Sequence, residues 1–303
     1  MVVFTVNSGC IPDMGNVSQI FSHLHDLQRR YHEAKLGKES LLALIYETEV
    51  AEQVYNSNAI ENSTLSLSET EKVLRKINLD RFITERELFE AKNLARVVEY
   101  IDKKAKEKEL SIDVILLLHK MLISNIRDDI AGRLRNLGEW VKVGSHLAAD
   151  PTQLEKLLHG MLVTYQTSGQ EHVIKRIARL HLTFEHIHPF VDGNGRIGRV
   201  LNNYLLIREG HVPINIKFID RSLYYDAFEA FDQNDTTKIM EQIVGKALSN
   251  SYHKRLAYLE GKTILPLAEY AKREKLSLPN LTNKANRQTI EAFWERGMWK
   301  IGC

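Results

Sequence analysis

The sequence predicts an all-α helical bundle with one small β-hairpin and a short C-terminal appendage. Three observations carry this. Helix formers are abundant, while glycine and proline number only 16 and 6 in 303 residues. Apolar residues recur at helical spacing through most of the chain. One segment, 125–149, breaks that rhythm with Gly132, Gly138 and Gly144 around an alternating EWVKV run.

The elements follow in order. Residues 1–16 carry Gly, Pro, Asn and Asp and read as a loose arm. Residues 17–36 form a first helix, with Gly37 as its stop. A second begins near Glu39 and runs to about Glu61. Residues STLS, 63–66, end it, and Ser66 or Ser68 caps a short helix to Lys76, with Glu69 near its start. Residues 84–108 and 111–124 supply two more amphipathic helices. A hairpin is expected over 139–146. Pro151 opens a helix at its first position, ending near Ser168 and Gly169. Helices then fit 171–187, 195–209, 221–232 and 236–260, with Gly210 and Gly261 as stops. The tail reads as two or three short helices with Pro279 between two of them, and with Trp294 and Trp299 filling a small core.

Composition excludes several classes. A formal net charge of +2 implies no polyanion partner from bulk charge. Cys10 and Cys303 lie at opposite ends without a CxxC partner, so neither a disulfide framework nor metal binding by them is expected. The N-terminus lacks a basic region and a long apolar run, and no stretch is long enough to span a membrane; a cytoplasmic chain is the expectation. The sequence has no GxxxxGK[ST], HExxH or CxxC.

The chemistry concentrates in HPFVDGNGRIGR, His188–Arg199. Pro189 ends the preceding helix near His188. Gly193 and Gly195 admit backbone angles closed to other residues, and Asn194 tolerates the left-handed region. Successive amides can then curl into an anion nest at a helix N-terminus. Arg196 and Arg199, three apart, share a face and suit phosphate oxygens. Asp192 suits Mg²⁺, and His188 is the group able to accept a proton near neutral pH. Phe190 anchors the loop in the core. The combination fits attack by a hydroxyl on a metal-bound phosphate.

These twelve residues resemble the signature of the Fic family (filamentation induced by cAMP), HPF-x-[D/E]-GNGR-x-x-R, with Asp192 at the acidic place. The resemblance implies a Fic-type helical bundle with a β-flap at 138–148. It also implies a protein adenylyltransferase that moves AMP from ATP to a Ser, Thr or Tyr hydroxyl of a target protein or of itself. His188 is then the base, Asp192 holds Mg²⁺, and Gly193, Asn194, Gly195, Arg196, Ile197, Gly198 and Arg199 form the phosphate-binding run. SNAIEN, 57–62, resembles the family's inhibitory motif [S/T]-x-x-x-E-[G/N], through Ser57, Glu61 and Asn62. A bidentate Glu61–Arg199 pair in the γ-phosphate space would leave the α-phosphate misaligned. Val143, Gly144, Ser145 and His146 stand where similar proteins contact nucleotide or target, and the flap suits strand addition. Tyr224 and Tyr225 match a tyrosine pair near the adenine. Asp232 stands where some relatives have Asn.

The resemblance divides the chain into 1–67 (arm and inhibitory region), 68–260 (catalytic core) and 262–303 (a winged-helix-like module). Lys284 and Arg287 allow DNA contact by that module, and a homodimer fits the family. Two alternatives stay open: removal of AMP or transfer of another phosphate-containing group at the same site, and a DNA-binding regulator. His181 and His186 read as packing residues.

Overall fold

In the computed structural model the described residues are 17–144 and 146–303. The expected 1–16 arm, Cys10 and Ser145 lie outside them, as do the side chains of 17–22.

Helices α1 (Val17–Ala34) and α2 (Glu39–Ile60) lead into α3 (Leu67–Leu74), α4 (Glu85–Lys104) and α5 (Ile112–Ile123). Two capping boxes set the starts of α3 and α4: Ser66 with Glu69, and Thr84 with Glu87. Each satisfies two otherwise orphaned amides, and loss of such a cap costs about 1 kcal/mol. The hairpin follows as β1 (Lys142–Val143) and β2 (His146–Leu147), paired antiparallel with Val143 opposite His146. It is shorter than its sequence pattern suggests, because Glu139 is drawn away from any ladder. The Glu139 carboxylate accepts from Arg133 at 2.7 and 2.8 Å and from the Asn136 amide at 2.6 Å.

Helices α6 (Leu154–Thr167), α7 (Val173–Ile187), α8 (Asn194–Arg208), α9 (Arg221–Asn234) and α10 (Lys238–Leu259) complete the bundle. A turn of 3-10 helix at Pro151–Gln153 precedes α6. Helix α8 is buried along nearly its whole length, and Ile197, Leu201, Tyr204 and Leu206 are fully enclosed. Helices α2, α4, α5 and α7 pack around it, and its N-terminus is where the signature loop delivers the chain. All-round burial also explains why α8 lacks the single apolar stripe of a surface helix.

A buried charge cluster fixes α2 against α10 and the tail. Glu49 pairs with Arg255, and Lys254 lies 3.5 Å from Glu52 and 2.8 Å from Glu295. Removing one partner of such a buried set strands the others at a cost of about 3–5 kcal/mol. This anchors the helix whose far end carries Ser57 and Glu61.

The tail contains β3 (Ile264–Pro266), α11 (Leu267–Arg273), α12 (Leu278–Arg287), β4 (Ala292–Glu295) and β5 (Met298–Gly302). Its sheet has the order β3-β5-β4, antiparallel throughout. The all-helical reading of the tail is corrected: strands this short carry too few residues to show alternation. Pro279 lies in the first turn of α12 rather than between helices, where its missing N–H has no helical acceptor to lose. Leu267, Leu281, Ala285, Ala292 and Ile301 make the small core. Trp299 packs against this core as expected, while Trp294 does not belong to it; the two rings make an edge-on pair 5.4 Å between centroids, with the Lys217 ammonium 4.4 Å from the Trp299 ring.

Candidate active site

Helix α7 ends at His188, which takes left-handed angles, φ 51° and ψ 63°. Such a conformation is costly for a residue with a β-carbon and needs support. Arg135 provides it. Its Nε donates to the His188 carbonyl at 2.8 Å, Nη1 to that of Glu139 at 2.9 Å and Nη2 to that of Ala149 at 2.7 Å. One buried guanidinium thus ties the signature loop to both ends of the hairpin segment.

The next residues are held as firmly. Phe190 is fully buried, stacked on the His119 ring at 3.7 Å. The Gly132 amide donates to His119 Nδ1 at 3.0 Å, which leaves Nε2 to carry the proton and donate to the Asp192 carbonyl, also at 3.0 Å. Burial pushes the His119 pKa down to about 4, so the neutral ring is the stable one. Asn194 bonds both the amide (2.9 Å) and the carbonyl (2.8 Å) of Phe190. Asn194 is therefore a staple of the loop and is not itself left-handed.

Gly193 alone in the GNG run needs left-handed angles, with φ 87° at the helix start. Gly195 is helical, and its need is space. A β-carbon there would stand 2.3 Å from Glu61 Oε1. The Glu61 carboxylate thus lies against the first turn of α8. The amides of Asn194, Gly195 and Arg196 have no acceptor within the helix, and no other acceptor among the described residues. A negative charge at that end is favoured by the helix dipole.

Glu61 reaches this place from the C-terminal end of α2. Asn62, left-handed at φ 69°, turns the chain out of the helix there. Arg199 Nη2 donates to Glu61 Oε1 at 2.8 Å and to the Ser57 carbonyl at 2.9 Å, while Nε donates to Ser57 Oγ at 2.9 Å. The Glu61–Arg199 contact is single, not the expected bidentate pair, because Ser57 takes the remaining fork. Arg199 Nη1 also donates to the Tyr224 hydroxyl at 3.3 Å, which lies 2.8 Å from His181 Nε2.

These groups border a cavity of about 600 Å³. Glu61, His188, Gly195, Tyr224, Tyr225 and Asp232 line it, with Val143, Gly144 and His146 from the hairpin. Burial pushes the His188 pKa down to about 4, against the opposing pull of the Glu185 carbonyl. The ring is neutral at ordinary pH, and its buried Nδ1 has no hydrogen-bond partner. Tyr225 is partly exposed with its hydroxyl 3.5 Å from the Ile60 carbonyl, whereas Tyr224 is buried. Of the two tyrosines, Tyr225 is the one exposed to a planar ligand.

Other residues of the signature stand off the cavity. Arg196 is buried in a chain of charges, 3.0 Å from Asp192 and 3.1 Å from Glu90; Asp192 also pairs with Arg86 at 2.7 Å. Burial raises the Asp192 pKa, but the Arg196 and Arg86 guanidiniums outweigh it and keep the carboxylate ionised. Asp192 is half-buried, a hard oxygen donor beside the open amides, and so of the type Mg²⁺ uses with phosphate oxygens. Ile197 is a core residue. Gly198 makes room for Glu185 and His181, whose atoms a β-carbon would meet at 2.3 and 2.9 Å. Asp232 is engaged by two histidines, His186 Nδ1 at 2.7 Å and His146 Nδ1 at 3.1 Å.

The sequence reading missed Arg135, Glu185 and the His186–Asp232 contact. Glu185 lines the cavity, fully enclosed, with Oε1 unpaired and its pKa pushed up by burial to about 8. Its only sequence signal is a carboxylate on the apolar face of α7.

A sequence model of the Fic/DOC family matches residues 109–206, the stretch from α5 through most of α8. The chain carries a Fic/DOC-family domain. Among curated proteins it is similar to the protein adenylyltransferase Fic of Nematostella vectensis, 30% identical over 227 residues, covering 74% of this chain and 52% of that one. The protein of the same name from Drosophila melanogaster is 28% identical over 297 residues, covering 90% and 58%. The chain thus spans little more than half the length of these relatives. Among solved structures, a Fic domain containing signaling protein from Bacteroides thetaiotaomicron superposes with a TM-score of 0.71 at 22% identity, over 80% of this chain and 98% of that one. Fic-1 from C. elegans gives 0.70 at 24% identity, over 80% and 73%. These likenesses establish the Fic helical fold. Among the described residues no helix is long and apolar enough to cross a membrane.

Proposed function

We propose that the cavity binds ATP and transfers its AMP to a hydroxyl of a protein, and that Glu61 holds this activity back. The observation that carries the reading is the Glu61 carboxylate seated against Gly195, at the open amides of α8 and paired to buried Arg199. An anion occupies the place where a polyphosphate would gain most, and a neutral imidazole faces the same cavity. The names of the curated relatives support the same activity.

In this reading the acceptor hydroxyl lies along the hairpin and gives its proton to His188. The hydroxyl oxygen forms a bond to the α-phosphorus of ATP while the bond from that phosphorus to the α–β bridging oxygen breaks. Pyrophosphate leaves, and the amides of Asn194, Gly195 and Arg196 steady the phosphate charge. Asp192 is the residue to hold Mg²⁺, which when bound neutralises phosphate charge. With Glu61 in place the polyphosphate is displaced, and in-line attack fails on geometry. Acceptors include hydroxyls of this chain itself.

The test uses the Glu61→Gly chain with ATP labelled at the α- or the γ-phosphate. Adenylyl transfer leaves only the α label on protein, and His188→Ala in the same background reduces labelling by roughly 10²–10⁴-fold. Retention of the γ label instead, or labelling indifferent to His188, refutes the proposal.

A further inference from the structure

We infer that His146, His186 and Asp232 form a transition-metal site, of the kind zinc takes, which fastens the hairpin to the wall of the cavity. The three residues come from β2, the last turn of α7, and α9, and one ligand atom from each lies within 4.8 Å of the others. Two imidazoles and a carboxylate with a fourth position open to water are a common zinc donor set.

The details favour coordination over an ordinary ion pair. His146 Nδ1 is shut off from solvent and, although 3.1 Å from Asp232 Oδ2, makes no hydrogen bond. The other nitrogen of the ring, Nε2, lies 3.4 Å from the His186 carbonyl. A proton on Nε2 donated to that carbonyl leaves Nδ1 with a free lone pair facing the carboxylate. Metal-bound histidines are oriented in this way, by a carbonyl on the remote nitrogen. His186 Nδ1 is 2.7 Å from the other carboxylate oxygen, and the two rings stack with centroids 4.6 Å apart and planes 13° apart. Both Nδ1 atoms thus face Asp232, one at each carboxylate oxygen. Metal bonds of about 2.0–2.1 Å in a tetrahedron put ligand atoms about 3.3 Å apart, close to the histidine–carboxylate spacings of 2.7 and 3.1 Å and within the 4.8 Å that separates the three ligand atoms at most.

The consequence is mechanical. Among the described residues, His146 ties β2 to the bundle through its contacts with the His186 carbonyl and Asp232. A metal bound there joins the hairpin to α7 and α9 at the wall of the cavity that Glu61 also lines. The inference concerns metal binding and hairpin closure and does not require adenylyl transfer, so it stands or falls separately from the function proposed above.

Tag-free chain is dialysed against Zn²⁺ with metal analysis, and titrated with Co²⁺ while visible absorption is recorded. The expected result is one equivalent of zinc per chain and the intense bands of four-coordinate cobalt. Asp232→Asn and His186→Ala each weaken affinity by at least tenfold. His159→Ala, an exposed histidine elsewhere, leaves it unchanged. Amide exchange at 142–147 slows on zinc addition in the unmodified chain and not in Asp232→Asn. Binding below one equivalent, or equal binding by unmodified chain and a folded Asp232→Asn variant, overturns the inference and leaves a His–Asp ion pair.

Discussion

Replacing Glu61 with glycine is the perturbation whose size the structure sets most closely. The carboxylate is held by one charge-assisted hydrogen bond, from Arg199 Nη2 at 2.8 Å, and by the open first turn of α8. Its side chain is 37% exposed, so neither interaction has the full strength of a buried pair. A hydrogen bond to a charged group is worth about 1.5–3 kcal/mol, and the helix end adds about 0.3–1 kcal/mol. A polyphosphate arriving at the same amides must first displace this. Taking about 2 kcal/mol as the surplus, and about 1.4 kcal/mol per factor of ten, Glu61→Gly raises the initial rate of AMP transfer roughly 30-fold. Glu61→Gln keeps the shape and loses the charge, so it falls between the two. The assay is the initial rate of incorporation from α-labelled ATP at fixed protein concentration. A rate for Glu61→Gly equal to or below that of the unmodified chain refutes the argument that Glu61 occupies the phosphate position.

Two further outcomes follow from the packing and the titrations. Gly198→Ala places a β-carbon 2.3 Å from Glu185 Oε1 and 2.9 Å from His181, both enclosed, and overpacking of this kind costs about 1–3 kcal/mol; calorimetry should show a melting point several degrees lower, and an unchanged value contradicts the packing described. Burial holds His119, His188, His211 and His253 near pKa 4 and His181 near 3, all below the unfolded value of about 6.5. The unfolded chain therefore binds more protons between these limits, and stability falls with acidification from about pH 6.5 to pH 4 by up to about 1.4 kcal/mol per pH unit for each histidine. Urea denaturation at successive pH values checks the sign: a stability that is flat or rises across that window contradicts the burial of these rings as neutral groups.

What the sequence made legible was whatever is encoded locally. Helix periodicity, the Ser66 cap and the glycine stops each depend on residues within a few positions of one another, and the bundle helices came out close to their expected bounds. The signature was readable because base, carboxylate and amides lie in twelve consecutive residues. The roles inside it were less so. Gly195 is required by a carboxylate 134 positions earlier rather than by backbone angles, and Arg196 answers to Glu90 and Asp192. Arg135 acts wholly through main-chain carbonyls, which leave no side-chain pattern to find. The His146, His186 and Asp232 cluster draws one residue from each of three elements, so no spacing rule could gather it.

The most direct test of the central claim is a crystal structure of the Glu61→Gly, His188→Ala chain with ATP and Mg²⁺. The polyphosphate is expected on the amides of Asn194, Gly195 and Arg196, with the α-phosphorus turned toward the vacated side of position 188 and the hairpin. Nucleotide bound elsewhere, or at this cavity with its phosphates directed away from the start of α8, contradicts it.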